Sequence, residues 1–315
     1  MTDGTRTTSA EGYADILSAS RGAAPDQVAS RVMLDLHTHS RHSDGRTTPT
    51  ENVDMAAAAG LTGIALTDHD TCDGLEEAAE ACARRGLRFV PGIELSTEEN
   101  GRSVHILGYG INRDDLALTQ ESDRLRHERL RRAEDTLSKL GALGVDLTMD
   151  AVMQRAGGAA VARPHIAEAL VAVGAVPDLA TAFERFLADG AAAYVEKHAV
   201  SPEKGVALIR NAGGAAVLAH PAADRGEASP VSVSLLDRLA GVGLGGVEID
   251  HPAHDEEQRV YWRAMALERD LCVTGSSDFH GRYDDERIGS CVTPSGMVDR
   301  LAGRTVSGVA LMEEK

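Results

Sequence analysis

The chain has 315 residues, enough for one large α/β domain with an insertion. A formal net charge of −17 argues against a broad basic surface for duplex nucleic acid, although a small or short single-stranded substrate remains compatible. There is no run of 18 apolar residues and no signal peptide, which predicts a cytoplasmic protein without a membrane span. The four cysteines lack C-x-x-C spacing and are expected to be reduced core residues.

Residues 1–31 are rich in Ser, Thr, Ala and Gly and are predicted to form a flexible extension. From Val32, short apolar runs alternate with longer segments of helical period, the pattern of a mostly parallel sheet with crossover helices. The seven predicted strands are Val32–His37, Gly63–Thr67, Arg88–Ile93, Val104–Tyr109, Ala215–His220, Gly246–Asp250 and Leu271–Ser276. The helices predicted between them are Thr50–Ala59, Asp73–Arg85, Pro202–Ala212, Val233–Ala240 and Glu256–Arg269.

Residues 112–196 break this alternation, with helical patterns at Ser122–Leu140 and Pro177–Leu187 and no convincing strand. This segment is predicted to be a helical insertion or cap. Residues 32–111 and 197–315 would then form one barrel that is discontinuous in sequence. The glycines of GVGLGGVEI precede a strand, where a dinucleotide fingerprint would follow one, so they are interpreted as a turn.

The first motif with chemical content is DLHTHSRHSDG, in which His37 and His39 are two residues apart at a strand end and project to the same side. Asp44 follows in a short loop. Similar residues recur at the other predicted strands, and carboxyl ends of parallel barrel strands open onto one face. These further residues are His69, Glu94, His105, His220, Asp278 and His280.

His105 stands near the beginning of its predicted strand, so either that strand is antiparallel or its boundaries are shifted by a few residues. Nine His, Asp and Glu ligands are too many for one tetrahedral zinc ion, which implies two or three metals. Imidazole and carboxylate ligands without thiolate suit manganese, iron or zinc better than calcium.

At these positions the chain resembles the PHP (polymerase and histidinol phosphatase) family. The matching motifs are DLHTHSRHSDG, LTDHDT, PGIELS, HILGYG, LAHP and SSDFHG, and the resemblance covers the chain from about Val32 to its end. Together with the ARPHIA segment, they are most similar to nucleoside 3′,5′-bisphosphate phosphatases and related 5′ to 3′ exoribonucleases. The resemblance implies a distorted (β/α)7 barrel, an α/β fold, with three metal ions, for which manganese is expected and iron or zinc are alternatives.

The resemblance also implies a distribution of ligands, with all nine positions filled. Glu94 would bridge the first two ions. One ion would have His37, His39, Glu94 and Asp278, the second Glu94, His105 and His220, and the third Asp44, His69 and His280. Hydroxide from metal-activated water is the expected nucleophile, because coordination lowers the pKa of water to about 7.

Other residues are predicted around this centre. Arg163 is the expected phosphate clamp, because guanidinium offers a planar fork of donors. His251 is expected to contact phosphate or to act as the general acid. Further predicted substrate contacts are His165, Lys197 and His198, whereas Asp35 and Asp68 are expected to orient ligands without binding metal.

The predicted activity is phosphomonoester hydrolysis, with nucleoside 3′,5′-bisphosphates and short RNA 5′ ends as first substrates. One alternative is a metabolite such as histidinol phosphate or a cyclic phosphodiester. Another is a non-catalytic domain in which metal only supports the fold or docks a partner. Phe183, Phe186 and Tyr194 are the aromatic residues of the insertion that could stack on a base. The sequence does not predict the oligomeric state.

Overall fold

The structure, a computed structural model, describes residues 32–157, 161–188, 190–196, 198–223 and 231–305. The predicted extension, residues 1–31, lies outside the described residues, and so does Lys197. The strands within the described part are β1 Met33–Asp35, β2 Gly63–Leu66, β3 Arg88–Glu99, β4 Arg102–Tyr109, β5 Ala215–Leu218, β6 Gly246–Asp250, β7 Cys272–Gly275 and β8 Thr293–Pro294.

The helices in the same residues are α1 Pro49–Ala58, α2 Leu75–Arg85, α3 Leu116–Ala142, α4 Met149–Ala156, α5 Arg163–Ala172, α6 Leu179–Ala182, α7 Pro202–Asn211, α8 Val233–Gly241, α9 Glu256–Leu267 and α10 Ser295–Ala302. A π-helical turn, Phe183–Leu187, follows α6 directly. Such turns are rare and often occur at functional sites.

The eight strands form one sheet in the order β7-β6-β5-β4-β3-β2-β1-β8. A parallel bridge between Thr38 and Phe279 joins the chain after β1 to the chain after β7. The backbone N–H of His39 donates to the carbonyl of Phe279 at 2.8 Å in the same place. The sheet therefore curls round to meet itself, and the predicted α/β barrel is confirmed.

Strand β4 pairs antiparallel with both β3 and β5, whereas β1, β2 and β3, and likewise β5, β6 and β7, are parallel neighbours. Of the two explanations for the position of His105, the antiparallel strand is the correct one. Strand β3 continues six residues beyond the predicted end at Ile93, to Glu99, because it forms a long hairpin with β4. The short strand β8 and helix α10 were not predicted.

Several helix boundaries follow from local capping chemistry. Helix α1 begins with a capping box in which Thr48 and Glu51 satisfy each other's backbone N–H groups. Asp255 and Gln258 do the same at α9. Helix α2 ends at Gly86, whose φ of 66° is the left-handed conformation that glycine adopts without a steric penalty.

Helices α3 to α6 fall inside the segment predicted to be a helical insertion. A hydrophobic cluster that includes Leu140, Val152, Leu170 and Phe186 is made up of residues from this part of the chain alone. That separate core supports the helical character of the segment, while its status as a distinct cap domain, 112–196, stays a prediction.

Alternation along the strands decides which side chains face the barrel interior. On β4, Leu107 and Tyr109 belong to one buried cluster, and Val104 and Ile106 belong to another. His105 has the same parity as Leu107, so it shares the interior face. In the described residues no helix is long and apolar enough to cross a membrane. The four cysteines are free, and none forms a disulfide.

Candidate metal centre

The structure brings the nine predicted ligands together at one end of the barrel. Within the part of the chain that the structure describes, three groups of side chains could each hold a metal ion, with one ligand atom per residue and all atoms of a group within 4.8 Å of one another. The groups are His37, His39, Glu94 and Asp278; His69, Glu94 and His105; and His39, Asp44, His69 and His280. The ninth residue, His220, has Nε2 at 3.1 Å from Glu94 Oε1.

Strand geometry explains this convergence. His37 and His39 follow β1, and His69 follows β2 and forms a parallel bridge to Glu94 within β3. Because β4 is antiparallel, His105 near its start lies at the same end of the barrel as the carboxyl ends of the parallel strands. His220 follows β5.

Three residues at this end have positive φ without being glycine. The φ angles are 54° at Asp70, 23° at His220 and 51° at Asp278. Such conformations cost of order 1–3 kcal/mol and persist where the surroundings impose them. Two of the three are predicted ligands, so the backbone is bent at the points where side chains must turn inwards.

Glu94 is the central carboxylate, and its two oxygens face different imidazoles. Oε1 lies 2.7 Å from His105 Nδ1 and 3.1 Å from His220 Nε2. Oε2 lies 2.9 Å from His69 Nδ1 and 3.3 Å from Nε2 of both His37 and His39. This arrangement suits a carboxylate that bridges two cations.

Several buried nitrogen and oxygen atoms at the centre are better placed to bind a divalent cation than to hydrogen-bond with one another. Nε2 of His37, Nδ1 of His69, Oε2 of Glu94 and Oδ1 of Asp44 are buried and have no hydrogen-bond partner among the described residues. Ligands at about 2.0–2.2 Å from one zinc-like ion lie roughly 3.0–3.5 Å apart. The contacts of Glu94 with His37, His39 and His220, at 3.1–3.3 Å, are in this range. An uncompensated buried polar atom is costly, so the donor set fits metal ions.

The outward ring nitrogens fix which imidazole nitrogen faces the centre. Nδ1 of His37 lies 3.0 Å from the Glu248 carboxylate, and Nδ1 of His280 lies 2.8 Å from the backbone carbonyl of Asp278. Both partners accept hydrogen bonds, so each Nδ1 carries the proton and each Nε2 directs a lone pair inwards. Metal-binding histidines are commonly oriented in this way.

Charges at the centre perturb one another strongly. Burial alone would raise the pKa of Glu94, but the imidazoles of His69, His105 and His37 hold it well below its usual range. Burial would lower the pKa of His39, but Asp278 and Glu94 raise it to about 10. In the absence of a cation, a proton on His39 therefore balances part of the carboxylate charge, and a cation would displace it.

Three further carboxylates form hydrogen bonds with predicted metal ligands or with residues next to them. Asp68 accepts hydrogen bonds from the backbone and hydroxyl of Ser40 and from Ser43, and Asp35 accepts from the backbone of His37. These contacts fit the predicted orienting roles. Glu248 was missed, although a glutamate within the buried run GVEID of β6 is a recognisable signal.

A cavity of about 790 Å³ opens onto the centre between the barrel and the helices α3, α5 and α6. The predicted substrate contacts Arg163 and His198 line it, as do the predicted ligands Asp44, His69, His105 and His220. The aromatic Phe183 of the π-helical turn also lines it. Sequence reasoning missed three arginines of the lining, namely Arg102, Arg129 and Arg132.

The remaining predicted contacts differ in their surroundings. His251 is buried beside the centre, with Nε2 at 3.4 Å from Asp278 Oδ2 and Nδ1 accepting from the backbone N–H of Ala253. His165 is 2% exposed, and its ring nitrogens contact the Ala162 backbone N–H and Arg282. In this structure, therefore, His165 faces a protein partner at each nitrogen.

Comparisons with known proteins agree with this site. The PHP domain matches residues 35–146. The chain is 38% identical over 248 residues to the 3′,5′-nucleoside bisphosphate phosphatase of Chromobacterium violaceum, covering 78% of this chain and 87% of that protein. It is 34% identical over 246 residues to a 5′-3′ exoribonuclease of Haemophilus influenzae, covering 78% and 89%.

A solved structure from Bifidobacterium adolescentis, described as a metal-dependent phosphoesterase, superposes with a TM-score of 0.80 at 32% identity. The superposition covers 87% of this chain and 96% of that one. The likeness therefore extends over barrel and helices together and is not confined to the motifs. With the converging His, Asp and Glu side chains, these similarities establish that the chain belongs to the PHP family of metal-dependent phosphoesterases.

Proposed function

We propose that this enzyme hydrolyses nucleoside 3′,5′-bisphosphates at the 3′-phosphate and removes nucleotides from the 5′ end of short single-stranded RNA. The observation that carries the proposal is the cavity, which joins the candidate metal centre to guanidinium groups and one aromatic side chain. A substrate with one phosphate at the metals, a second phosphate and a base would use all three features. The names of the two relatives above support the same substrate class.

We further propose three divalent ions, manganese in preference to iron or zinc. His37, His39, Glu94 and Asp278 would hold one, and Glu94, His105 and His220 a second. Asp44, His69 and His280 would hold the third, and the proximity of His39 to this group supports it as an additional contact. When bound, such ions lower the pKa of coordinated water to about 7 and neutralise charge on phosphate oxygens.

The arginines would bind the second phosphate and orient the substrate. Arg163 at the start of α5 and Arg132 on α3 line the cavity, and Arg102 lines it from the start of β4. A guanidinium group pairs with phosphate through two parallel N–H donors, which gives direction as well as charge. Phe183 offers a face on which a base can stack.

His251 would hydrogen-bond the leaving oxygen. Its Nδ1 accepts a backbone hydrogen bond, so the ring presents its N–H at Nε2, which faces Asp278 at 3.4 Å. That N–H lies beside the candidate metal centre, where negative charge would develop on the leaving oxygen, and donation to this oxygen would stabilise the charge.

The test is hydrolysis by metal-stripped protein reloaded with manganese, measured as release of inorganic phosphate from phosphomonoesters, of nucleoside 5′-monophosphates from RNA and of the ring-opened monoester from a cyclic diester. The substrates are adenosine 3′,5′-bisphosphate, a short 5′-phosphorylated RNA, histidinol phosphate and a cyclic phosphodiester. Asp278→Ala should abolish release, whereas Asp284→Ala, on an exposed loop, should leave it unchanged. Release confined to histidinol phosphate or to the cyclic diester would overturn the substrate proposal and retain the phosphoesterase chemistry. Silence on all four would contradict it altogether.

A further inference from the structure

Two largely buried arginines connect the helical segment to loops that carry predicted metal ligands. The ligands concerned belong to one group, His39, Asp44, His69 and His280, called here the Asp44 cluster. Arg282 and Arg129 are the arginines, and their side chains are 8% and 15% exposed. Neither was singled out by its motif, and neither belongs to the nine predicted ligands.

Arg282 contacts both the backbone carbonyl and the carboxylate of Asp44. Its Nε and Nη2 donate to the backbone carbonyl of Asp44 at 3.1 and 2.5 Å, and Nη2 lies 3.4 Å from the carboxylate of the same residue. The same Nη2 contacts Nε2 of His165, which is on α5. Arg46 adds an ion pair to Glu168 of α5 at 2.6 Å. The position of the Asp44 carboxylate is thus tied to α5.

Arg129 makes the equivalent connection from α3 to the residue after His69. Its Nη2 pairs with Asp70 Oδ2 at 2.6 Å and lies 3.3 Å from Ser96 Oγ. Asp70 has φ 54°, and its other carboxylate oxygen accepts from the Ser96 backbone at 2.7 Å. The ion pair therefore fixes a strained residue whose neighbour in sequence is a ligand of the Asp44 cluster.

The group around His37 is supported differently. His37 is oriented by Glu248 of β6, and the backbone of His220 after β5 donates to the same carboxylate. Both supports belong to the barrel. The helical segment, by contrast, contacts the loops of Asp44 and His69, through Arg129 to Asp70 and through His165 to Arg282.

We propose that Arg282 and Arg129 are positioning residues that set the metal affinity of the Asp44 cluster and couple it to the helical segment. The inference rests on the proposed metal binding. The substrate cavity is lined by the same helices and by Arg129 itself, so the affinity of an ion at this cluster would respond to cavity occupancy. By thermodynamic linkage, occupancy of the cluster would then strengthen binding in the cavity.

The test is a manganese-binding isotherm, with metal content per chain measured after dialysis. Arg282→Met and Arg129→Met should each weaken the same single class of ions by 10–100-fold, typical for residues that orient ligands, and leave the other classes unchanged. Arg287→Met, in the loop of Arg282, and Arg131→Met, an exposed arginine of α3, are matched controls that should keep the wild-type isotherm.

Arg282→Lys keeps the charge but loses the planar guanidinium donors and should give an intermediate affinity. This variant tests the inference if Arg282→Met does not fold. Adenosine 5′-monophosphate should tighten that class of ions in the wild type, and less so in either variant. Wild-type isotherms in both variants, or equal weakening of every class, would overturn the inference. If the wild type binds manganese but hydrolyses none of the substrates, the proposed function fails while the isotherms still decide this point.

Discussion

Glu248 allows an isosteric test of the candidate metal centre without removing any ligand. Its Oε1 lies 3.0 Å from His37 Nδ1 and also accepts from Ser276, and its Oε2 accepts from the His220 backbone at 2.9 Å. Burial would raise the pKa of Glu248, but His37 and neighbouring imidazoles lower it to about 2. The carboxylate is therefore ionised and accepts at both oxygens.

In Glu248→Gln, an NH₂ group replaces one of the two carboxylate oxygens. This group is a donor and would point at another hydrogen-bond donor, so one of the present hydrogen bonds is lost. The substitution also removes the charge that makes His37 a stronger ligand. Loss of such a partner weakens metal binding by 10–100-fold, which corresponds to about 1.4–2.8 kcal/mol at roughly 1.4 kcal/mol per tenfold change. We expect manganese affinity to fall by this factor and phosphate release to fall at limiting manganese.

The assay is a manganese titration followed by both free metal and activity, with the unfolding temperature of the metal-free protein measured alongside. Glu257→Gln, on the exposed face of α9, makes the same chemical change away from the centre and should match the wild type. An unchanged affinity in Glu248→Gln would refute the role of this carboxylate in orienting His37. A melted protein would instead indicate a purely structural role.

Three further predictions follow from the site. Manganese affinity should rise with pH, because a proton on His39 must leave when metal binds. Asp278 and Glu94 raise the metal-free pKa of His39 to about 10 against the penalty of burial. Calorimetry in buffers of different ionisation enthalpy measures this proton release, and finding none would contradict the prediction. Phe183→Leu should raise KM for adenosine 3′,5′-bisphosphate by roughly 5–150-fold, as a stacking energy of about 1–3 kcal/mol implies, and leave a base-free ribose bisphosphate unaffected. Arg163→Lys should raise KM for bisphosphates more than for monophosphates, and equal effects on both would argue against contact with a second phosphate.

Much of the barrel follows from local sequence signals. The seven predicted strands match β1 to β7 because each contains a short apolar run. The strand β3 was cut short at Ile93, since the polar residues that follow resemble a loop until their pairing with β4 is known. Strand β8 is two residues long and exists through its antiparallel pairing with β1, which no local pattern encodes.

The site was predictable where chemistry is concentrated in motifs. Histidines and carboxylates at strand ends identify themselves, because those residue types rarely recur there for packing reasons alone. Arginines are different, since the helix α3 carries several, and most of them form exposed pairs with acids on the same helix. Arg129 differs from Arg131 only in which face of the helix meets the barrel, and that is a property of tertiary packing.

The contacts of Glu94 bear on whether the centre could be a purely structural ion network. Five imidazoles from four segments contact its two oxygens, two of them at Oε1 and three at Oε2. A structural network would crowd imidazole rings and carboxylates together in a desolvated space, with ring pairs such as His39 and His280 only 4.1 Å apart between centroids. It would also leave buried polar atoms of His37, His69, Glu94 and Asp44 without a hydrogen bond among the described residues. Divalent cations would satisfy those atoms, so the geometry that makes this cluster unfavourable as a polar core makes it favourable as a metal centre.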